Sequence, residues 1–120
     1  MPTLAGAGAL NSTASDLLMF LENCLGQRDT PLAPAMKMML DTRRLGEPGM
    51  IAALGWFIST QHGDEIVSHA GGTRGFSSFV AFSTISRRGC VFLSNGQGLG
   101  NLEQFGFHLL NAGYPLFQKS

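Results

Sequence analysis

The stretch Ser68-His69-Ala70-Gly71-Gly72-Thr73-Arg74-Gly75-Phe76 is the part of the chain best suited to chemistry. An imidazole stands two residues before paired glycines in an otherwise extended, apolar pattern. Glycine inside a strand lets a ligand or another backbone come where a side chain would block it, so Gly71 and Gly72 mark a place of close approach. The His69 ring can donate a hydrogen bond or a proton there. A glycine-rich hairpin with no ligand would look the same locally, so residues 68–76 alone leave both readings open.

Other constellations carry less. His62, Asp64 and His69 could converge across a hairpin, and His108 falls in the last helical segment, but none has the spacing of a metal-ligand set. No metal or other cofactor is expected. Gly-x-Ser-x-Gly is absent, which excludes the nucleophile elbow of the α/β-hydrolases. Gly96-Gln97-Gly98-Leu99-Gly100 lacks the Gly-Lys-Ser/Thr of a phosphate loop and reads as a helix-entry loop. Trp56, Phe57, Phe76, Phe79 and Phe82 read as core and sheet-face residues rather than a base-stacking platform.

Eight Lys and Arg balance eight Asp and Glu, so charge points to neither nucleic acid nor an anionic membrane as partner. Arg43-Arg44 and Arg87-Arg88 read as solvated loop tips. No apolar run approaches the roughly 20 residues of a membrane span. Met1 to Leu10 contains no Lys or Arg, hence no charged n-region of a signal peptide, and the expectation is a cytoplasmic location on expression. Cys24 and Cys90 are isolated and expected to be free, buried thiols. Charged residues make up 13% of the chain against roughly 25% in soluble domains generally. So little solvated surface favours covered apolar faces and a homo-oligomer, most simply a dimer.

The positioning elements follow from pattern. Thr13 and Asp16 have N-cap and N3 spacing, Leu17 to Leu25 recur at helical intervals, and Gly26 is placed to end a helix over 13–25. Pro34 opens a second helix over 33–41. Arg43 to Met50 reads as a loop. Four strands are expected at 54–60, 66–70, 77–83 and 90–94, with turns at Gly63-Asp64 and Arg87-Arg88-Gly89. Short connections make neighbouring strands antiparallel. The last two strands carry large apolar residues on both faces, as central strands do. Asn101 and Gln104 cap a final helix over 101–112, which Gly113 and Pro115 stop. The fold class is α+β in a single domain, residues 1–120: a helical segment 12–41, an antiparallel sheet of about four strands over 53–95, and the C-terminal helix packed on it.

The order of these features resembles the serine β-lactamases of the class C type and their carboxypeptidase, esterase and penicillin-binding-protein relatives. Ala5-Gly6-Ala7-Gly8-Ala9-Leu10-Asn11-Ser12-Thr13-Ala14-Ser15-Asp16-Leu17 is similar to the family's Gly-rich segment and Ser-Thr-Ala-x-Asp-Leu helix start. Ala53-Leu54-Gly55-Trp56 resembles its Gly-Leu-Gly-Trp strand, and His69-Ala70-Gly71 its Lys-Thr-Gly or His-Thr-Gly box. Gly75-Phe76-Ser77-Ser78-Phe79 and Leu93-Ser94-Asn95 resemble the next two strands. The resemblance spans about residues 5–112 and implies a partial β-lactamase-like fold.

It further implies a hydrolase related to cleavage of β-lactam, peptide or ester bonds, with a small-molecule ester or amide as ligand. His69 would stand in the catalytic position that donates a proton or hydrogen bond toward substrate. Gly71, Gly72 and Thr73 would line the substrate strand, with the Gly72 amide as half of an oxyanion hole. Ala70 replaces the usual hydroxyl residue. The family's nucleophile, a Ser with a Lys three residues on, has no match. The two lysines, Lys37 and Lys119, follow Pro34 and Leu116 at that spacing, and the only Tyr, Tyr114, does not open a Tyr-x-Asn box. The alternative is therefore a non-catalytic remnant that self-associates or binds ligands.

Overall fold

A computed structural model describes residues 11–73, 75–96 and 101–116. Helix α1 runs Ala14–Cys24, and the Thr13 hydroxyl accepts from the Asp16 amide at 3.1 Å, the hydroxyl half of the expected cap. Its end is secured from a distance. The Arg87 guanidinium donates to the Leu25 carbonyl at 2.7 Å, which satisfies an acceptor the helix leaves open. Helix α2, Ala33–Asp41, starts with Pro34 in its first turn, as expected.

Six strands follow: β1 Arg44–Leu45, β2 Met50–Ala52, β3 Phe57–Ser59, β4 Ile66–Thr73, β5 Phe76–Ser83 and β6 Arg88–Ser94. They form one antiparallel sheet in the order β1-β2-β3-β4-β5-β6. Helix α3, Asn101–Leu110, is the last element among the described residues. The class is α+β as expected, with two strands more than the four anticipated. The additional pair arises because residues 43–50 are a tight hairpin rather than a loop. The Met50 amide bonds the Glu47 carbonyl at 2.9 Å and the Gly46 amide bonds Met50 at 3.2 Å. Two paired residues are too few to show an apolar alternation.

Other boundaries move for local reasons. Leu54–Trp56 is a bend, not strand: Gly55 has φ +76°, which side-chain-bearing residues rarely adopt, and the Ala53 amide bonds the Trp56 carbonyl at 2.8 Å. Strand β4 continues to Thr73, beyond the expected Ala70, because its glycines stay paired with β5. The β5–β6 turn is Thr84–Arg87, so Arg88 and Gly89 already belong to β6. Arg43 and Arg87 are not free loop tips. Arg43 forms a bidentate pair with Glu65, at 2.6 and 3.1 Å.

The core has two layers, one on each side of the sheet. Leu21, Leu25, Trp56, Ile58, Val67 and Phe82 are buried beneath α1 and α2, with Met39 and Leu40 packed against them. Ile66, Phe79, Ala81, Leu110 and Tyr114 are buried on the α3 side. Strand β5 therefore buries both faces, as its sequence predicts. Strand β6 carries the two-sided apolar pattern of a central strand, yet among the described residues it ends the sheet, because α1 and α3 lie over both of its faces. Cys24 and Cys90 are free and half-buried. No described helix is long and apolar enough to cross a membrane.

Candidate functional site

The direction of the backbone along β4 decides what the site offers. In an antiparallel ladder, successive residues send their amide and carbonyl to alternate sides. The Thr84 amide donates to the Glu65 carbonyl at 3.3 Å, one step beyond the Ile66–Ser83 pair. Val67, His69, Gly71 and Thr73 therefore bond toward β5. Ile66, Ser68, Ala70 and Gly72 turn the other way.

Strand β3 receives only the first two of those four. Its register pairs Ser59 with Ile66 and Phe57 with Ser68, and it begins at Phe57 because the chain bends at Gly55. From His69 onward, β4 has no neighbour on that side among the described residues. The amides and carbonyls of Ala70 and Gly72 face this open edge. His69 is exposed there, its ring stacked on half-exposed Phe57 at 5.9 Å and 30°.

The glycines keep the edge low. A Cβ on Gly72 would meet nothing within 4 Å, while one on Gly71 would lie 2.5 Å from the Ser78 Oγ across the ladder. Thr73 pairs through its backbone with Phe76. Its side chain, Arg74, the Gly-rich segment before Asn11, and Gln97–Gly100 with the Asn101 cap lie outside the described parts. His69, Gly71 and Gly72 are thus together on one strand. An edge of this kind can take a ligand carbonyl on the Gly72 or Ala70 amide, and its described residues offer backbone and imidazole groups.

The alternative histidine cluster does not form. Asp64 is buried at the far end of β4, where both its carboxylate oxygens accept from the Ser83 hydroxyl at 3.0 and 2.8 Å. His62 packs edge-on against Tyr114 with ring centroids 4.5 Å apart, and His108 Nδ1 bonds the Tyr114 carbonyl at 2.9 Å. Tyr114 shares a 2.5 Å hydrogen bond with buried Ser59. This group fastens the chain after α3 to β3. Among the described residues no set of His, Cys, Asp and Glu could hold a metal. Trp56, Phe79 and Phe82 are core residues as expected, whereas Phe57, beside the β4 edge, and Phe76, at the start of β5, are exposed. Sequence reasoning missed Phe57 as part of the site, although Gly55 two residues earlier was a signal that the strand starts late.

The fold is thus α+β, a helix-covered antiparallel sheet with a low, open strand edge beside an imidazole. The Beta-lactamase family model matches residues 1–111, and the chain belongs to the β-lactamase family. Among curated proteins, none matches the chain.

Proposed function

We propose that this chain is the substrate-strand portion of a β-lactamase-family hydrolase, binding the carbonyl of a β-lactam, peptide or ester along β4 without turning it over by itself. The observation that supports this reading is the overhang of β4 past β3, which leaves the Ala70 and Gly72 backbone groups open beside exposed His69. In this reading the Gly72 N–H is one oxyanion donor, a kind of contact whose loss typically costs about 10²–10³ in rate in a competent enzyme. His69 donates to the same ligand. Acyl transfer also needs an activated nucleophile, and no Ser-x-x-Lys occurs in the 120 residues.

The test is an amide-resolved NMR titration with a β-lactam, a D-alanyl-D-alanine dipeptide and a short ester, run beside hydrolysis assays with a chromogenic cephalosporin and a p-nitrophenyl ester. Saturable shifts are expected at Ala70 and Gly72. They weaken in Gly72→Pro, which removes one outward amide at a place where an edge strand tolerates proline. Hydrolysis stays at the buffer rate for the wild type and for His69→Ala alike. Ligands that shift no amide between residues 69 and 73 would refute the binding reading. Hydrolysis above buffer that disappears in His69→Ala would replace it with an enzyme in which His69 takes part.

A further inference from the structure

The other side of the sheet ends on β6, a seven-residue strand with no neighbour beyond it among the described residues. The same alternation fixes which groups it presents. Residues of β5 that bond β4 are the even-numbered ones, so Ser77, Phe79, Ala81 and Ser83 bond β6; the Ser83 carbonyl accordingly accepts from the turn amide of Arg87 at 3.0 Å. Their partners Arg88, Cys90, Phe92 and Ser94 are engaged. Gly89, Val91 and Leu93 direct their amides and carbonyls outward.

Apolar side chains border this edge on both faces of the sheet. On one face α1 lies over β6 and β5, and Phe20 stacks on Trp56 toward the β3 side, which by helical geometry puts Leu18 on the opposite flank. On the other face, Phe107 packs toward Tyr114, while Phe105 packs on Phe92 of β6 with ring centroids 5.5 Å apart. Leu109 shares the Phe105 flank. Leu18, Leu93, Phe105 and Leu109 remain 43%, 46%, 43% and 45% exposed. Such an edge templates pairing with another strand, and apart from Arg88 at its start it carries no charge or proline that would blunt it.

We propose that the occupant of this edge is a second copy of the chain, paired β6 to β6 about a two-fold axis through Val91. The outward groups are self-complementary about that residue. Val91 bonds Val91 of the copy, and Gly89 bonds Leu93 in both directions, which gives six backbone hydrogen bonds and a continuous sheet across the two protomers. A two-fold axis perpendicular to the sheet brings the Leu18 flanks together on one face and the Phe105–Leu109 flanks together on the other. Along β6 itself no like charges meet. Arg88, the one charged residue of β6, stands opposite Ser94 of the copy, and the chain has no net charge. Strand edge and apolar flanks together bury on the order of 1,000 Å² over both protomers, the lower end of what a stable interface needs.

The test is sedimentation equilibrium of the full chain between 1 and 100 µM, on the order of the affinities such an interface supports, with amide exchange followed by NMR. The expected result is a dimer of twice the 12.8 kDa monomer mass, with the amides of Gly89, Val91 and Leu93 protected. Leu93→Pro removes two of the six bonds, and its amide is not used within the protomer. It should raise the dimer dissociation constant at least tenfold with far-ultraviolet circular dichroism unchanged. Leu109→Lys, on the exposed helix flank, should do the same and serves if the proline variant fails to fold. A monomer throughout, or a dimer in which those three amides exchange freely, would overturn the proposal. Because it uses β6 and not β4, it stands or falls apart from the ligand reading.

Discussion

Gly106 lies in the middle of α3 where the helix crosses the sheet. A Cβ added there would sit 2.4 Å and 2.9 Å from Cε2 and Cδ2 of Phe79, and 3.2 Å from Cε2 of Phe92. Carbon atoms pack best at about 3.5–4.0 Å, so the methyl of Gly106→Ala overlaps the Phe79 ring by about 1 Å. That ring cannot step aside. It is fully buried, stacked on Phe92 with centroids 6.4 Å apart and held on another side by Phe107 at 5.8 Å. Two effects then compete. Replacing glycine by alanine inside a helix gains about 1 kcal/mol, whereas overpacking a tight core costs about 1–3 kcal/mol. With backbone on one side and a trapped ring on the other, an overlap this close costs about 2–3 kcal/mol, and the expected net loss is about 1–2 kcal/mol. Urea unfolding followed by the fluorescence of Trp56, the only tryptophan, should show the midpoint falling by about 1 M. Both proteins are compared at one concentration, since self-association would stabilise each. Phe79→Leu in the Gly106→Ala background should recover part of the loss, because the two residues share the space. A midpoint equal to or above that of the wild type would show that α3 does not approach the sheet as closely as described.

Two more outcomes follow from buried polar groups and thiols. Ser83→Ala removes the hydroxyl that bonds both oxygens of buried Asp64 and accepts from the Ser86 amide at 3.0 Å. It should cost about 1.5–3 kcal/mol in urea unfolding, and a loss under about 0.5 kcal/mol would mean that water replaces the hydroxyl. Burial pushes the Cys24 and Cys90 thiols up to about 11 from an ordinary 9.0. Alkylation at pH 8 should therefore be about a hundredfold slower in the native chain than in urea, and equal rates would refute the burial of both sulfurs. The folded form holds its thiol protons more tightly than the unfolded form. Stability from this source is fully present below pH 9, and it is lost as pH rises through about 11.

Helix α2 was legible to the residue, because Pro34 and the Met36, Met39 and Leu40 side bound it. Thr13 likewise located the start of α1 through one capping bond. The small β1–β2 hairpin was not legible, since a strand of two residues has no period and its turn residues read as loop. Apolar residues on both faces of β6 identify a strand covered on both faces; α1 and α3 provide that cover, and among the described residues no strand lies beyond it. For the site, His69, Gly71 and Gly72 stood out by type, but what opens the edge is the late start of β3 at Phe57. That depends on the left-handed backbone of Gly55, a conformation that glycine permits without announcing.

Both open edges follow from one alternation of backbone direction that starts at the Glu65–Thr84 bond. It turns Ala70 and Gly72 away from β5 on one side, and by way of β5 it turns Gly89, Val91 and Leu93 outward on the other. Two strand spacings, about 10 Å, separate these edges, so an occupant of one does not reach the other. Pairing through β6 would leave each β4 edge open on the far flank of the joined sheet. The edges also differ in kind. The β4 edge is low, bordered by glycine and an imidazole, and offers two residues' worth of backbone groups, enough to hold a small carbonyl compound but not a full strand. The β6 edge offers three such residues with apolar helices overhanging on both faces, which a small ligand cannot fill and another strand with its own helices can. The chemistry of each edge thus selects a different class of occupant from the same ladder.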